Sequence, residues 1–182
     1  MWKAERPQEV VLRLVPGGEA RPTLDEIYRR YCRYVAAVIL RLGGRPSEVD
    51  DLVQDVFVEA ASGIGRLREP EAIKGWLATI AVRTVRRRLR MRRAWRFLGL
   101  QRDEGEIVLV DPRVSPADRA LLRAVYEILD EMPIDDRIAF TLHVIEGETL
   151  PVVAKLCGCA LATAKRRVAR GQKMIEQRMS DG

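Results

Sequence analysis

Histidine occurs once in the 182 residues, at position 143, and cysteine three times. A hydrolase needs a nucleophile and an oriented base, and one histidine without a glycine-rich phosphate loop supplies neither. The cysteines, Cys32, Cys157 and Cys159, are odd in number and make a poor disulfide framework. Reduced thiols and a cytoplasmic setting are expected. Their spacing with His143 matches no common zinc finger, so neither a metal nor a cofactor is expected, and His143 reads as a surface residue. Aromatic residues make up only 5% of the chain, which argues against an all-β sandwich or barrel and leaves a helical protein as the default. The longest apolar run, Tyr34 to Leu40, is far too short to cross a bilayer. The N-terminus carries Lys3, Glu5, Arg6 and Glu9 where a signal peptide would need an apolar stretch, so no membrane insertion is expected.

What is abundant is charge. Charged residues are 32% of the chain, the net charge is +6, and arginine outnumbers lysine 27 to 5. The distribution is uneven. From Pro46 to Glu59 there are five acids (Glu48, Asp50, Asp51, Asp55, Glu59) and no base. From Arg83 to Arg96 there are eight arginines and no acid. From Leu161 to Arg178 six bases stand against Glu176 alone. Cations this dense repel one another, and a helix that carries them gains when a polyanion neutralises them. Solvated helix faces are the plainer reading. Two dense clusters, each joined to an apolar helical stripe, favour nucleic acid.

The periodicity predicts helices almost throughout. Residues 1–22 hold three prolines and two glycines and read as a tail, with room for a short extended piece at Val10–Val15. Thr23 with Glu26 makes a capping box for a helix whose stripe is Leu24, Ile27, Tyr31, Val35, Val38 and Leu42, ended by Gly43-Gly44. Ser47 is the expected cap of a second helix, with Val49, Leu52, Val53, Val56 and Ala60 on its inner face and the acids opposite. A Gly- and Arg-rich loop leads to a long helix from about Ile73 to about Arg93, apolar first and arginine-rich after. Trp76, at helical spacing with Ile80, reads as core. Trp95 and Phe97, beside the arginines, are candidates to stack unpaired bases or to line a partner. Periodicity then fails from Ala94 to Val114, as in an interdomain linker. Ser115-Pro116 opens a helix with Leu121, Leu122, Val125, Ile128, Leu129 and Met132 inside. The next starts at Pro133, with Ile138, Leu142 and Ile145 buried, and closes at Gly147. Thr149 caps a short helix over Leu150–Leu156, and a turn at Cys157-Gly158-Cys159 leads to a last helix over about Ala160–Arg178.

The last two helices have helix-turn-helix grammar. Ala154 is small where the helices must cross, Gly158 suits a positive φ in the turn, and the final helix mixes Ala162 and Ala164 with bases. Small side chains permit close approach to a major groove and arginines reach base edges and phosphates.

The chain as a whole resembles the extracytoplasmic-function (ECF) subfamily of bacterial RNA polymerase sigma factors. The resemblance is carried by LDEIYRRYCRYVAAVILRLGGRPSEVDDLVQDVFVEA, GWLATIAVRTVRRRLR and GETLPVVAKLCGCALATAKRRVARGQKMI, with DDLVQDVF and TAKRRVARG the sharpest elements. It implies an all-α protein of two small helical domains joined by a flexible linker. Residues 1–22 would be the tail, 23–94 region two, 95–116 the linker and 117–179 region four. The resemblance also implies partners: core RNA polymerase, through its β′ clamp and β flap, promoter DNA, and an anti-sigma factor. Asp51, Leu52, Gln54, Asp55 and Phe57 match the element that docks on the clamp. Arg66, Lys74, Arg83, Arg86, Arg87 and Arg90 match the part that melts and reads the −10 element. Thr163, Lys165, Arg166, Arg167, Ala169 and Arg170 match the −35 reader. Such a protein is not an enzyme, because the polymerase supplies the catalysis. Arg83 stands where the family often has Asn, the family often has Asp near the position of Arg87, and Pro151-Val152 replace a usual acidic pair. Cysteines stand at 157 and 159 where aliphatic residues are usual.

Two rivals remain at this level. One is a dimeric helix-turn-helix regulator, which has no need of a second DNA reader. The other is a sigma-like module that only sequesters an anti-sigma factor, which has no need of bases on both helices. The sigma reading itself requires two cationic helices that act on separate stretches of template. It would be contradicted if they were folded together in one globule, with their cations paired internally and nothing to let them part.

Overall fold

The computed structural model describes residues 22–66, 72–100 and 115–180, except the side chains of residue 66 and residues 116–123. Seven α-helices are found among the described residues: α1 (Leu24–Arg41), α2 (Val49–Gly63), α3 (Ile73–Phe97), α4 (Pro116–Glu131), α5 (Ile134–Phe140), α6 (Leu150–Cys157) and α7 (Leu161–Ser180). The tail, including Val10–Val15, and residues 67–71 and 101–114 lie outside the described residues.

Local chemistry sets most helix ends. The Thr23 hydroxyl accepts from the Glu26 amide at 3.2 Å and the Glu26 carboxylate accepts from the Thr23 amide at 2.7 Å, a reciprocal cap. That bond to the Thr23 amide holds the Glu26 carboxyl below its ordinary pKa. At the other end of α1 the Gly43 amide donates to Leu40 and the Gly44 amide to Ile39, with Gly43 at φ +99°. This is a Schellman stop, which favours glycine at the left-handed position. The same device ends α3, where Gly99 donates to Arg96 and Leu100 to Trp95. The helix therefore runs to Phe97, past the Ala94 at which periodicity fails, because the cap and not an apolar stripe decides where it stops. Ser47 does not cap α2. Pro46–Glu48 form a 3₁₀ turn and no side chain caps the helix, whose N-cap residue is Glu48.

α1, α2 and α3 pack as one three-helix unit, with Ile27, Val35, Ile39, Val56, Leu77, Ile80 and Val85 essentially inaccessible. The expected α2 stripe is buried in full, joined by Phe57. α4 to α7 form the second unit. Leu129, Met132 and Phe140 pack with Met174 and Ile175 in a satellite cluster. α5 ends in an i→i+5 turn over Thr141–Ile145, closed by the Glu146 amide on the Thr141 carbonyl. The wider turn inserts a residue and shifts the phase of the helix, so Ile145 is 52% exposed and not buried as its spacing suggested.

α7 crosses α5 at Gly171. A Cβ there would stand 2.8 Å from the Cβ of Phe140. Replacing Gly171 by Val is expected to destabilise the second unit by about 3 kcal/mol, the cost of overpacking a close helix crossing. Denaturant unfolding of the variant checks this.

The two units do not stand apart. α3 packs on α5 and α6, and the main apolar core runs without a break from Ile27 to Val168. Residues 101–114 lie along the chain between the units. Those 14 residues could span at most roughly 45–50 Å when fully drawn out.

Candidate nucleic-acid and polymerase interfaces

On α2 the acids face outward. Asp51, Gln54 and Asp55 are exposed, whereas Leu52 and Phe57 are buried at 4% and 6% exposure. Phe57 meets Tyr28 edge-on, with ring centres 4.8 Å apart. It forms the floor of a groove of about 430 Å³ between α1 and α2, walled by Leu24, Tyr28, Asp50, Gln54 and Val58. The site thus pairs exposed acids with an apolar trough rather than presenting five exposed side chains.

α3 divides its arginines among three directions. Arg83 pairs with Glu59 at 2.8 Å and Arg87 with Asp55 at 3.5 Å, both exposed and facing α2. Arg88 and Arg92 turn inward on Glu48, at 2.8 and 3.5 Å, and Arg92 also donates to the Gly43 carbonyl at 2.6 Å. Arg86 and Arg90 face the second unit. Lys74 lies over the Tyr34 ring, 4.9 Å from its centre. Tyr34 itself is half-buried, and burial raises its phenol pKa, helped by Glu148 and Glu146. Arg66 ends a 3₁₀ turn, Ile64–Arg66. Trp76 is half-buried against the core. Trp95 and Phe97 are exposed at 43% and 91%.

α6 and α7 meet as the helix-turn-helix grammar requires. Gly158 caps α6 at φ +63°, and Ala154 is buried. Thr149 precedes α6 with extended backbone but makes no side-chain cap. Ala164, Val168 and Gly171 face inward on α7, and Lys165, Arg166, Ala169 and Arg170 face outward. Thr163 is half-buried, and its hydroxyl accepts from Arg166 at 3.5 Å. Arg167 is 18% exposed and lies 3.2 Å from Asp135 of α5. Arg170 forks onto the buried Asp136 through two bonds of 2.7 Å, and these raise its pKa.

His143 is half-buried, with Nδ1 at 2.7 Å from the Glu148 carbonyl, so it is a packed turn residue rather than a surface one. Among the described residues no group of His, Cys, Asp and Glu is placed to hold a metal, the cysteines are free, and no helix is long and apolar enough to cross a membrane. Burial pushes the Cys157 thiol up to about 11. About one molecule in a thousand then carries the thiolate at pH 8. Alkylation of Cys157 in the folded chain is therefore expected to be at least about 100-fold slower at pH 8 than that of an unperturbed thiol near 8.5, with the rate still rising up to pH 10. Labelling a Cys32→Ser, Cys159→Ser chain across pH checks this.

Sequence reasoning missed the acids that pair with α3. Six of the eight arginines from 83 to 96 have carboxylate partners, drawn from Glu48, Asp55, Glu59 and Asp135. The expectation of two distant cationic helices is corrected. They meet at Asp135, so two of the three conditions that would contradict the sigma reading hold in this form. The third falls on residues 101–114, which lie outside the described residues.

Acids and an apolar trough thus lie at α2, and exposed bases on α3 and α7. The Sigma-70 region 2 profile matches residues 27–96 and the Sigma-70 region 4 profile residues 122–175. The chain is 28% identical to the RNA polymerase sigma-H factor of Pseudomonas aeruginosa, over 97% of this chain and 95% of that one. It is 30% identical to the ECF RNA polymerase sigma factor SigM of Mycobacterium tuberculosis, over 85% of this chain and 76% of that one. Two solved structures share the fold. One is CnrH in complex with the cytosolic domain of CnrY (TM-score 0.59, 21% identity, 87% of this chain and 88% of that one). The other is the sigma factor RpoE of Bartonella quintana in complex with the anti-sigma factor NepR (TM-score 0.59, 23% identity, 86% of this chain and 96% of that one). The chain belongs to the ECF family of RNA polymerase sigma factors. It is an alternative sigma factor that directs promoter-specific transcription initiation with RNA polymerase.

Proposed function

We propose a division of labour among three surfaces. Asp51, Gln54 and Asp55, with the trough floored by Phe57 and backed by Leu52, hold the β′ clamp of core polymerase. Lys74, Arg83, Arg86, Arg87 and Arg90, with Arg66 at the preceding turn, hold the melting −10 strand. Thr163, Lys165, Arg166, Arg167, Ala169 and Arg170 enter the −35 major groove. The observation that carries this reading is the outward face of α7, where Lys165, Arg166 and Ala169 stand exposed on a helix whose other face is packed. A small residue flanked by long cations is what close approach to a base edge requires.

The chemistry of RNA synthesis is the polymerase's, this chain adds no catalytic group, and it works in the cytoplasm. Since RpoE of similar fold is captured with an anti-sigma factor, the same kind of partner is assigned to this chain.

In vitro transcription with purified core on a genomic promoter library tests the reading. Initiation at a defined promoter set that depends on this chain is expected. Its affinity for promoter DNA, measured with core, should fall with salt by about 0.9 in the log–log slope for every phosphate neutralised. Transcripts no different from core alone would overturn the reading.

A further inference from the structure

The last two turns of α3 project from the fold. Every residue from Arg93 to Leu100 is exposed, and the stop at Gly99 keeps the end helical to Phe97. Trp95, Phe97, Leu98 and Leu100 are 43%, 91%, 63% and 72% exposed. Single exposed apolar groups are ordinary, but a cluster of them marks a contact surface. Arg93 and Arg96 stand in this cluster and have no carboxylate partner among the described residues.

This end continues a row. Arg83, Arg87 and Arg90 are exposed at steps of four and three residues, and the same steps lead through Arg93 and Ala94 to Phe97. From Arg83 to Phe97 the row rises about 21 Å. Its cations are held less and less by the protein. Arg83 lies 2.8 Å from Glu59, Arg87 and Arg90 lie 3.5 and 3.4 Å from their carboxylates, and Arg93 has none among the described residues. Trp95 is turned off the row by the helical twist and is the more covered of the two aromatic rings.

A row of guanidinium groups that ends in an exposed ring has the composition of a single-strand site. The cations track phosphates, and the ring takes the π-face of a base whatever its identity. A lipid surface fits less well. A helix that lies in a lipid interface gathers its apolar groups on one face, whereas Trp95, Phe97, Leu98 and Leu100 are spread round the axis. The chain also sets a direction. Residues 101–114 lead from this end of α3 to the unit assigned to the −35 element, so on a promoter the end of α3 faces upstream, where the melted strand rejoins the duplex.

On the assignment of α3 to the melting strand, we propose that its last two turns form a further DNA site. Phe97 stacks on an unpaired base at the upstream end of the melted strand, and Arg93 and Arg96 hold the phosphates beside it.

The test uses the full chain and two probes, an oligothymidylate of about a dozen nucleotides and a mixed-sequence duplex. Phe97→Ala is expected to bind the single strand about tenfold more weakly than wild type and the duplex equally well. Phe97→Leu, which keeps apolar area without a ring, should be as weak as F97A, and Phe97→Trp should restore binding. Arg93→Ala with Arg96→Ala should lower the log–log salt slope for the single strand by about 1.4, the share of two phosphates. Arg83→Ala with Arg87→Ala reports on the α3 assignment separately. If F97A binds the single strand as wild type does while the Arg83/Arg87 variant is weakened, the new site is overturned and the α3 assignment stands. Wild-type binding by both overturns the two together. An equal loss on the duplex, or wild-type binding by F97L, overturns stacking on an unpaired base. Loss of binding to phosphatidylglycerol vesicles in F97A, with its oligothymidylate affinity unchanged, assigns the end of α3 to lipid and overturns the DNA site.

Discussion

Reversing Asp51 and Asp55 to lysine is expected to abolish co-purification with core RNA polymerase, while the far-UV spectrum and the melting midpoint stay close to wild type. Both side chains are exposed on α2, opposite its buried stripe. The one ion pair lost, Asp55 with Arg87 at 3.5 Å, is more than half exposed on both partners. Such a pair contributes about 0–1 kcal/mol. The interface would feel much more. The local charge changes from −2 to +2 beside a second cationic helix, and close charge pairs across a protein interface couple by about 1.5–7 kcal/mol. A fall in affinity of about a thousandfold is the expected result. Retention of wild-type affinity, measured by pull-down and by titration with labelled core, would remove α2 from the polymerase interface.

Replacing Lys165 and Arg166 together by alanine is expected to reduce promoter-directed transcription by about 10- to 100-fold, the loss of one or two base-edge contacts at about 1–3 kcal/mol each. Core activity on nicked, promoterless template should be unchanged. This pair is chosen because it leaves the Arg167–Asp135 and Arg170–Asp136 contacts in place. Alanine at 170 is a poorer probe. The Asp136 side chain is 4% exposed, and removal of its fork leaves a buried carboxylate without its partner, so lost folding would be mistaken for lost recognition. Undiminished transcription from the Lys165/Arg166 variant, with the −35 element still required, would show that another face of α7 meets the duplex.

Features set within one turn of chain were legible in the sequence. The Thr23–Glu26 box, the Gly43-Gly44 stop and the Gly158 turn each depend on residues two to five positions apart, and each forms as read. The inner face of α2 was legible from periodicity for the same reason, and that of α1 in part, since Ile39 is fully buried outside the stripe that was read. What could not be read is what distant segments do to a side chain. A run of eight arginines without an acid looks like one uniform surface. Folding divides it, because Glu48, Asp55, Glu59 and Asp135 arrive from three other parts of the chain. Phe57 was legible as important, but its place on the floor of a trough depends on Tyr28 from the preceding helix. Ile145 was misplaced because one i→i+5 turn changes the phase of a helix and leaves no mark in its hydrophobic pattern.

Glu48 begins the acidic helix, and it receives two arginines from the cationic one, spaced a turn apart. Two anchors on one carboxylate remove sliding as well as swivelling between α2 and α3. Whatever grips the first helix and whatever lies along the second are thereby kept in fixed register, like the jaws of a locked caliper. The measured gap would stay constant while the rest of the molecule rearranges.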